Sequence, residues 1–227
     1  MPELVRVEAG AGGAVTAMVY SADGPAGLGL ILGHGAGAGQ TSSFMVTFAT
    51  ELARRGIDTV TFNFPYMEQG RRLPDPKNTL EACYRAVIRT VRYRDVGRGG
   101  LAIGGKSMGG RIASQVAAAG ATEVAALVLL GYPLHPPGRP DKLRAGHLAD
   151  IRAPMLFVQG SRDAFGTPDE LGPIIAQLKA PCELHVVEGG DHSFKVLKRA
   201  GVGQDETYCA IQDRIAQWLR ATVGPER

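Results

Sequence analysis

The segment GLAIGGKSMGGR, Gly100 to Arg111, carries residues that fit two different chemistries. Gly100, Gly105, Lys106 and Ser107 satisfy the phosphate-loop pattern G-x-x-x-x-G-K-[ST]; Gly105, Ser107 and Gly109 satisfy the nucleophile-elbow pattern G-x-S-x-G. A phosphate loop needs its strand before the first glycine, so that the variable residues form a turn whose N–H groups face the phosphates. Here the strand-like Leu101, Ala102 and Ile103 lie inside the pattern, and the apolar run Ala125 to Leu130 ends on Gly131 and Tyr132, without an aspartate to hold Mg²⁺. Nucleotide binding is therefore the weaker alternative. An elbow instead puts serine at a sharp turn from strand to helix, in a strained conformation that needs small residues two places before and after it. Gly105 and Gly109 meet that need, and Arg111 to Ala119 continues as a helix rich in small residues.

A serine hydroxyl is a poor nucleophile until a base takes its proton, and the base must be held in the correct tautomer. His192 follows the apolar run in LHVVEGGDH, and Asp163 follows MLFVQG within GSRD. Ser107, Asp163 and His192 thus each come just after a strand-like run, which lines them along one carboxyl edge of a sheet, where open α/β sheets hold their ligands. Asp191 and Glu188 compete with Asp163, but Asp191 adjoins His192 and adjacent side chains diverge, so it reads as a turn residue. An oxyanion hole should come from the N–H of Met108, after the nucleophile, and one from the His34 to Gly37 turn, that of Ala36. Gly35, Gly37 and Tyr66 are expected around the substrate. His34 should organise the oxyanion loop by hydrogen bonding rather than act as a base. His135, His147 and His185 read as ordinary surface or strand residues, with His135 able to reach the site mouth.

The elements that must position these residues are legible as short apolar runs alternating with longer amphipathic ones, the mark of βαβ units. The predicted strands are Leu4 to Val7, Val15 to Tyr20, Leu28 to Leu32, Thr59 to Phe64, Leu101 to Ile103, Ala125 to Leu130, Met155 to Gln159 and Leu184 to Glu188. Most are continuous, as suits strands covered on both faces; the first two alternate and read as an antiparallel hairpin around Gly10 to Gly13. Asn78 with Glu81 resembles a capping box opening a helix through about Tyr93. Thr167, Pro168 and Glu170 form a second helix start. Tyr208, Ile211, Ile215, Trp218 and Leu219 make a helical stripe, with Trp218 a core anchor. Gly131 to Ala149 is the longest irregular stretch and is too short for a cap domain.

At 227 residues the chain fits one α/β domain, residues 1–227, with a mostly parallel sheet of about eight strands and helices on both faces. A hydrophobic content of 44% with 21% charged residues excludes wholesale disorder, and a net charge of +3 gives no reason to expect a nucleic-acid partner. The basic groups Arg71 with Arg72 and Lys195 to Arg199 read as solvated faces or a pocket rim. No basic start with an apolar run opens the chain and no run approaches the roughly 20 residues that cross a bilayer, so a soluble, cytoplasmic protein is expected. Cys83, Cys182 and Cys209 lack metal-ligand spacing and read as reduced thiols.

The elbow, the strand-end Asp163, the His192 loop and LILGHGAGAG together resemble the α/β-hydrolase superfamily, and GKSMGGR with TFNFPY is most similar to compact dienelactone-hydrolase-like proteins. The resemblance covers essentially the whole chain and departs from true dienelactone hydrolases in placing serine, not cysteine, at the nucleophile. It implies a serine hydrolase that needs no cofactor or metal and acts on a small-molecule ester in an open site, with no membrane or nucleic-acid partner; oligomeric state is not legible. The alternative from a different class is a non-catalytic interaction module on the same fold. Lys106 is left without a role, and Arg71 and Arg72 raise the idea of an anionic substrate.

Overall fold

The computed structural model describes residues 1–223 apart from 24–26, 121–123, 198–200 and 202, so Lys198 and Arg199 of the basic run lie outside the described residues. Strands β1 (Glu3–Glu8), β2 (Ala14–Tyr20), β3 (Leu28–Gly33), β4 (Ile57–Phe62), β5 (Gly100–Lys106), β6 (Ala126–Leu130), β7 (Met155–Gly160) and β8 (Cys182–Val187) form one eight-stranded sheet in the order β1-β2-β4-β3-β5-β6-β7-β8. β1 and β2 are the antiparallel hairpin the alternation predicts, and β2 pairs antiparallel with β4; from β4 to β8 every pairing is parallel.

Helices cover both faces. Residues alternate sides along a strand, so in β3 Ile31 joins the core under α3 (Lys77–Tyr93) and α4 (Met108–Ala118), while Leu30 and Leu32 join the core under α1 (Ser43–Arg54) and α6 (Gln204–Val223). β6 divides likewise, Leu127 and Leu129 to the first side, Val128 and Leu130 to the second. Ile211, Ile215, Trp218 and Leu219 of α6 are buried in the second core, with Trp218 an anchor as expected.

Several predicted boundaries move. β4 begins earlier and stops at Phe62, because Pro65 starts a short helix, α2 (Pro65–Glu68), and Phe64 is its cap. Proline has no N–H to lose at that position. β5 is longer than Leu101 to Ile103, and α4 begins at Met108 rather than Arg111. The Asn78 capping box does not form: Pro76 caps α3 without a side-chain bond, and Glu81 faces Lys77 at 3.4 Å and Arg85 at 3.1 Å. The Thr167 box does form at α5 (Pro168–Ile175), with the reciprocal Thr167 and Glu170 bonds present. Gly131 to Ala149 contains no cap. It runs irregularly into a 3₁₀ turn at Gly146–Asp150, with Tyr132, Leu134 and Leu148 buried against the sheet.

Candidate active site

The phosphate-loop reading fails on the path of β5. Gly100 through Lys106 are all strand, paired with β3 on one side and β6 on the other, so their backbone is used in the sheet and no loop remains to cradle a phosphate. The elbow reading holds in backbone geometry. Ser107 has φ 51 and ψ −113, a region non-glycine residues rarely occupy and which costs on the order of 1–3 kcal/mol. The small neighbours are needed for close approach: a Cβ on Gly105 would lie 2.2 Å from the Gly33 carbonyl oxygen, and one on Gly109 2.1 Å from the same atom. The turn packs α4 directly onto the end of β3, and any side chain there would push it off.

Ser107, Asp163 and His192 converge. His192 Nε2 lies 2.9 Å from Ser107 Oγ, and His192 Nδ1 lies 2.8 Å and 3.0 Å from the two carboxylate oxygens of Asp163. An ionised carboxylate only accepts, so Nδ1 carries the proton and donates to Asp163, leaving the Nε2 lone pair to accept from the Ser107 hydroxyl. Asp163 is 1% exposed, and its oxygens also receive the Phe165 N–H at 2.8 Å and the Gln159 side-chain amide at 2.9 Å. Glu188 is exposed, and Asp191 is the turn residue expected: its Oδ1 accepts from Ser193 N–H at 2.8 Å and Lys195 N–H at 2.9 Å, shaping the His192 loop.

Two residues that sequence reasoning missed complete this arrangement. Gln159, fully buried at the end of β7, also donates to the Gly166 carbonyl at 2.7 Å and accepts from Tyr132 N–H at 2.9 Å. Its signal was a single amide in the otherwise apolar MLFVQ run. Phe165 stacks on the His192 ring at 4.1 Å between centroids; nothing local in the sequence marks that contact.

His34 does what the sequence suggests. It is fully buried; its Nε2 accepts from Phe64 N–H at 3.0 Å and its Nδ1–H donates to the Gly35 carbonyl at 2.7 Å. Burial pushes its pKa down to about 4, so it stays neutral and keeps both bonds. Since C=O and N–H point opposite ways across a trans peptide, holding the Gly35 carbonyl also sets the direction of the Ala36 N–H. Gly35, Ala36, Gly37 and Met108 all line the cleft with Ser107 and His192. Tyr66 does not, which corrects its assignment to the substrate: it is fully buried and its hydroxyl donates to the Ala36 carbonyl at 3.0 Å, bracing the loop from behind.

The remaining histidines also depart from expectation in part. His135 is buried, 5% exposed, with Nε2 3.3 Å from Glu170, and does not line the cleft. His147 is half-buried with Nε2 2.8 Å from Ser114 Oγ, and His185 lies on β8 as a strand residue. Arg71 and Arg72 are exposed and outside the cleft lining, and Arg71 pairs with Asp75 at 2.6 Å. The ammonium of Lys106 is buried with no hydrogen-bond partner among the described residues, 5.4 Å from the Phe194 ring centre. Burial pushes its pKa down to about 8, against the opposing pull of Asp163 and Asp191. Among the described residues no three His, Cys, Asp or Glu side chains converge as metal ligands would, and no helix is long and apolar enough to cross a membrane.

A family model described as an alpha/beta hydrolase domain matches residues 27–220. Among solved structures, an alpha-beta serine hydrolase homologue from Coxiella burnetii is 22% identical over 96% of this chain and 97% of its own, with a TM-score of 0.76. A serine hydrolase without a lid from Xanthomonas campestris is 19% identical over 100% and 96%, TM-score 0.75. A dienelactone hydrolase from Anabaena variabilis is 19% identical over 98% of each chain, TM-score 0.75. At these identities the likenesses establish the fold.

Proposed function

Because this chain belongs to the alpha/beta hydrolase domain family, we propose that it is a cofactor-independent serine hydrolase of carboxylic esters, working through an acyl-enzyme. The observation that carries the reading is the unbroken relay from Asp163 through His192 to Ser107, at 2.8 Å and 2.9 Å. Ser107 Oγ attacks the ester carbonyl carbon as its proton passes to His192 Nε2. Asp163 holds the imidazole tautomer and stabilises the imidazolium, without itself taking the proton. The carbonyl oxygen, now negative, receives the N–H groups of Met108 and Ala36, which act where charge develops rather than on the ground state.

Collapse of the tetrahedral intermediate expels the alkoxide, protonated by Nε2. Water then enters; His192 takes its proton, the hydroxide attacks the acyl carbon, and Ser107 leaves with that proton. Gly35 and Gly37 add no side chain to the oxyanion side of the cleft. A small-molecule ester fits an open site of this kind. The test is turnover of short-chain p-nitrophenyl esters beside a Ser107→Ala control. Loss of hydrolysis in the control by several orders of magnitude supports the reading; a folded control with undiminished activity places the chemistry elsewhere.

A further inference from the structure

The cleft at Ser107 encloses about 750 Å³, and its charged lining is one-sided: Lys77, Lys106, Arg111 and Arg144 against the single carboxylate Asp75. Asp75 Oδ1 is held by Arg71 at 2.6 Å while its Oδ2 is buried with no partner among the described residues, and Lys77 lies 3.4 Å from Glu81. The Lys106 ammonium is walled in. Two guanidiniums remain.

Arg111 stands in the first turn of α4, its N–H donating to the Ser107 carbonyl at 3.0 Å. Side chains on a helix lean toward its N-terminus, so Arg111 leans toward the nucleophile. Arg144 belongs to the irregular stretch after β6, where the backbone is pinned: its carbonyl accepts from the Tyr132 hydroxyl at 2.7 Å and its N–H donates to the Leu134 carbonyl at 2.8 Å. Both are half-buried, and among the described residues neither side chain makes an ion pair or a hydrogen bond; Arg111 Nε is closed off from water without a partner. Burial and the neighbouring Arg144 charge both press the Arg111 pKa below its usual value. Two cations lining one cavity, neither paired with an acid because Asp75 pairs with Arg71 instead, are a destabilising arrangement in the free protein, and an anion between them reverses its sign.

We propose that Arg111 and Arg144 form an oxyanion subsite, and that the ester presented to Ser107 carries a carboxylate or phosphate which these guanidiniums receive. The proposal rests on the reading of Ser107 as nucleophile for its choice of an ester, but its charge preference is measurable without turnover. Planar guanidinium forks match a carboxylate or phosphate better than any neutral group. The anion could sit on the acyl side or on the alcohol side of the ester, and two ligand pairs separate these sources.

Binding to the Ser107→Ala protein is measured by calorimetry for monomethyl glutarate against methyl valerate, and for the valerate ester of 2-hydroxyethyl phosphate against butyl valerate. We expect at least about a tenfold tighter Kd for the charged member of one pair, the scale of a charge-assisted hydrogen bond, falling toward parity when Arg111→Met or Arg144→Met is added. The pair that shows the preference identifies the side. Equal affinity within both pairs overturns the proposal, as does a preference that survives both substitutions. The wild-type ratio of kcat/KM for the same pairs needs no arginine variant, so a misfolded variant leaves the question decided. Absence of turnover with a retained binding preference would instead count against the hydrolase reading alone.

Discussion

The two sides of the cleft are built on opposite principles. At the Asp163 carboxylate both oxygens are answered: four donor contacts converge on them, from Phe165, Gln159 and both approaches of His192 Nδ1. At the arginine pair nothing answers: Arg111 Nε is buried with no partner, and among the described residues neither Arg111 nor Arg144 makes a side-chain hydrogen bond or ion pair. Buried polar groups are ordinarily paired, so the contrast is informative. A group that must hold another in place is satisfied before any ligand arrives, whereas a group whose partner is the ligand waits for it. Lys106, beside Phe194 and within the pull of Asp163 and Asp191, fits neither case: its ammonium is buried with no partner among the described residues.

The contrast predicts opposite signs for substitutions at answered and at unanswered groups. The largest effect belongs to Asp163→Asn, which leaves the packing in place but removes the acceptor that fixes the His192 tautomer; kcat for ester hydrolysis should fall by about 10⁴-fold. Retention of more than a tenth of the activity would show that the satisfied side does no orienting.

Next comes the acid limb of stability. His34 has a folded pKa of about 4 against an ordinary 6.5, so its contribution is fully present above pH 6.5 and is lost as the pH falls through about 4, when the unfolded chain takes up the proton first. Urea unfolding should lose on the order of 2–3 kcal/mol from this group across that window. A His34→Gln variant whose loss over the same window equals that of the parent would contradict it.

Lys106→Met should act in the other direction and raise stability, by on the order of 1–3 kcal/mol at pH 7, because it removes a buried unpaired charge. The Lys106 pKa is depressed from 10.5 to about 8. Its destabilising effect is therefore complete below pH 8 and fades as the pH rises toward 10.5, so the advantage of the variant should shrink across that range in thermal melts. A variant less stable than the parent at pH 7 would mean the ammonium has a partner after all. The smallest effect is that of Tyr66→Phe, which frees the Ala36 carbonyl and loosens the oxyanion loop; a drop in kcat of about fivefold, the scale of one hydrogen bond, with KM little changed, is the expected split.

Much of this was legible in the sequence, and the pattern of what was not has a physical cause. Ser107, Asp163 and His192 each come after the end of a strand-like run, which places them along one edge, and the structure brings them within hydrogen-bond distance. Helix α1 carried a signal that none of the predicted elements used, with Met45, Phe48, Ala49 and Leu52 at helical spacing and buried on one face. The Asn78 box misled because its motif is local, while Pro76 and the competing cations Lys77 and Arg85 decide the outcome. Tyr66 was placed near the right loop but on its wrong side, since its strand-to-helix turn, and with it the ring's direction, follows from Pro65. Arg144 lies beyond any such reading: it reaches the cleft from an irregular segment whose path is set by Tyr132 and Leu134 packing on the sheet.

The central claim is that Ser107, strained at the elbow and bonded to His192, is an activated nucleophile. The direct measurement is covalent labelling of the folded protein by a fluorophosphonate probe, with the modified peptide located by mass spectrometry. A single adduct on Ser107, abolished by Ser107→Ala and strongly slowed by His192→Ala, is the predicted result. A well-folded protein that takes up no probe at Ser107, or labels equally well without His192, would contradict the account.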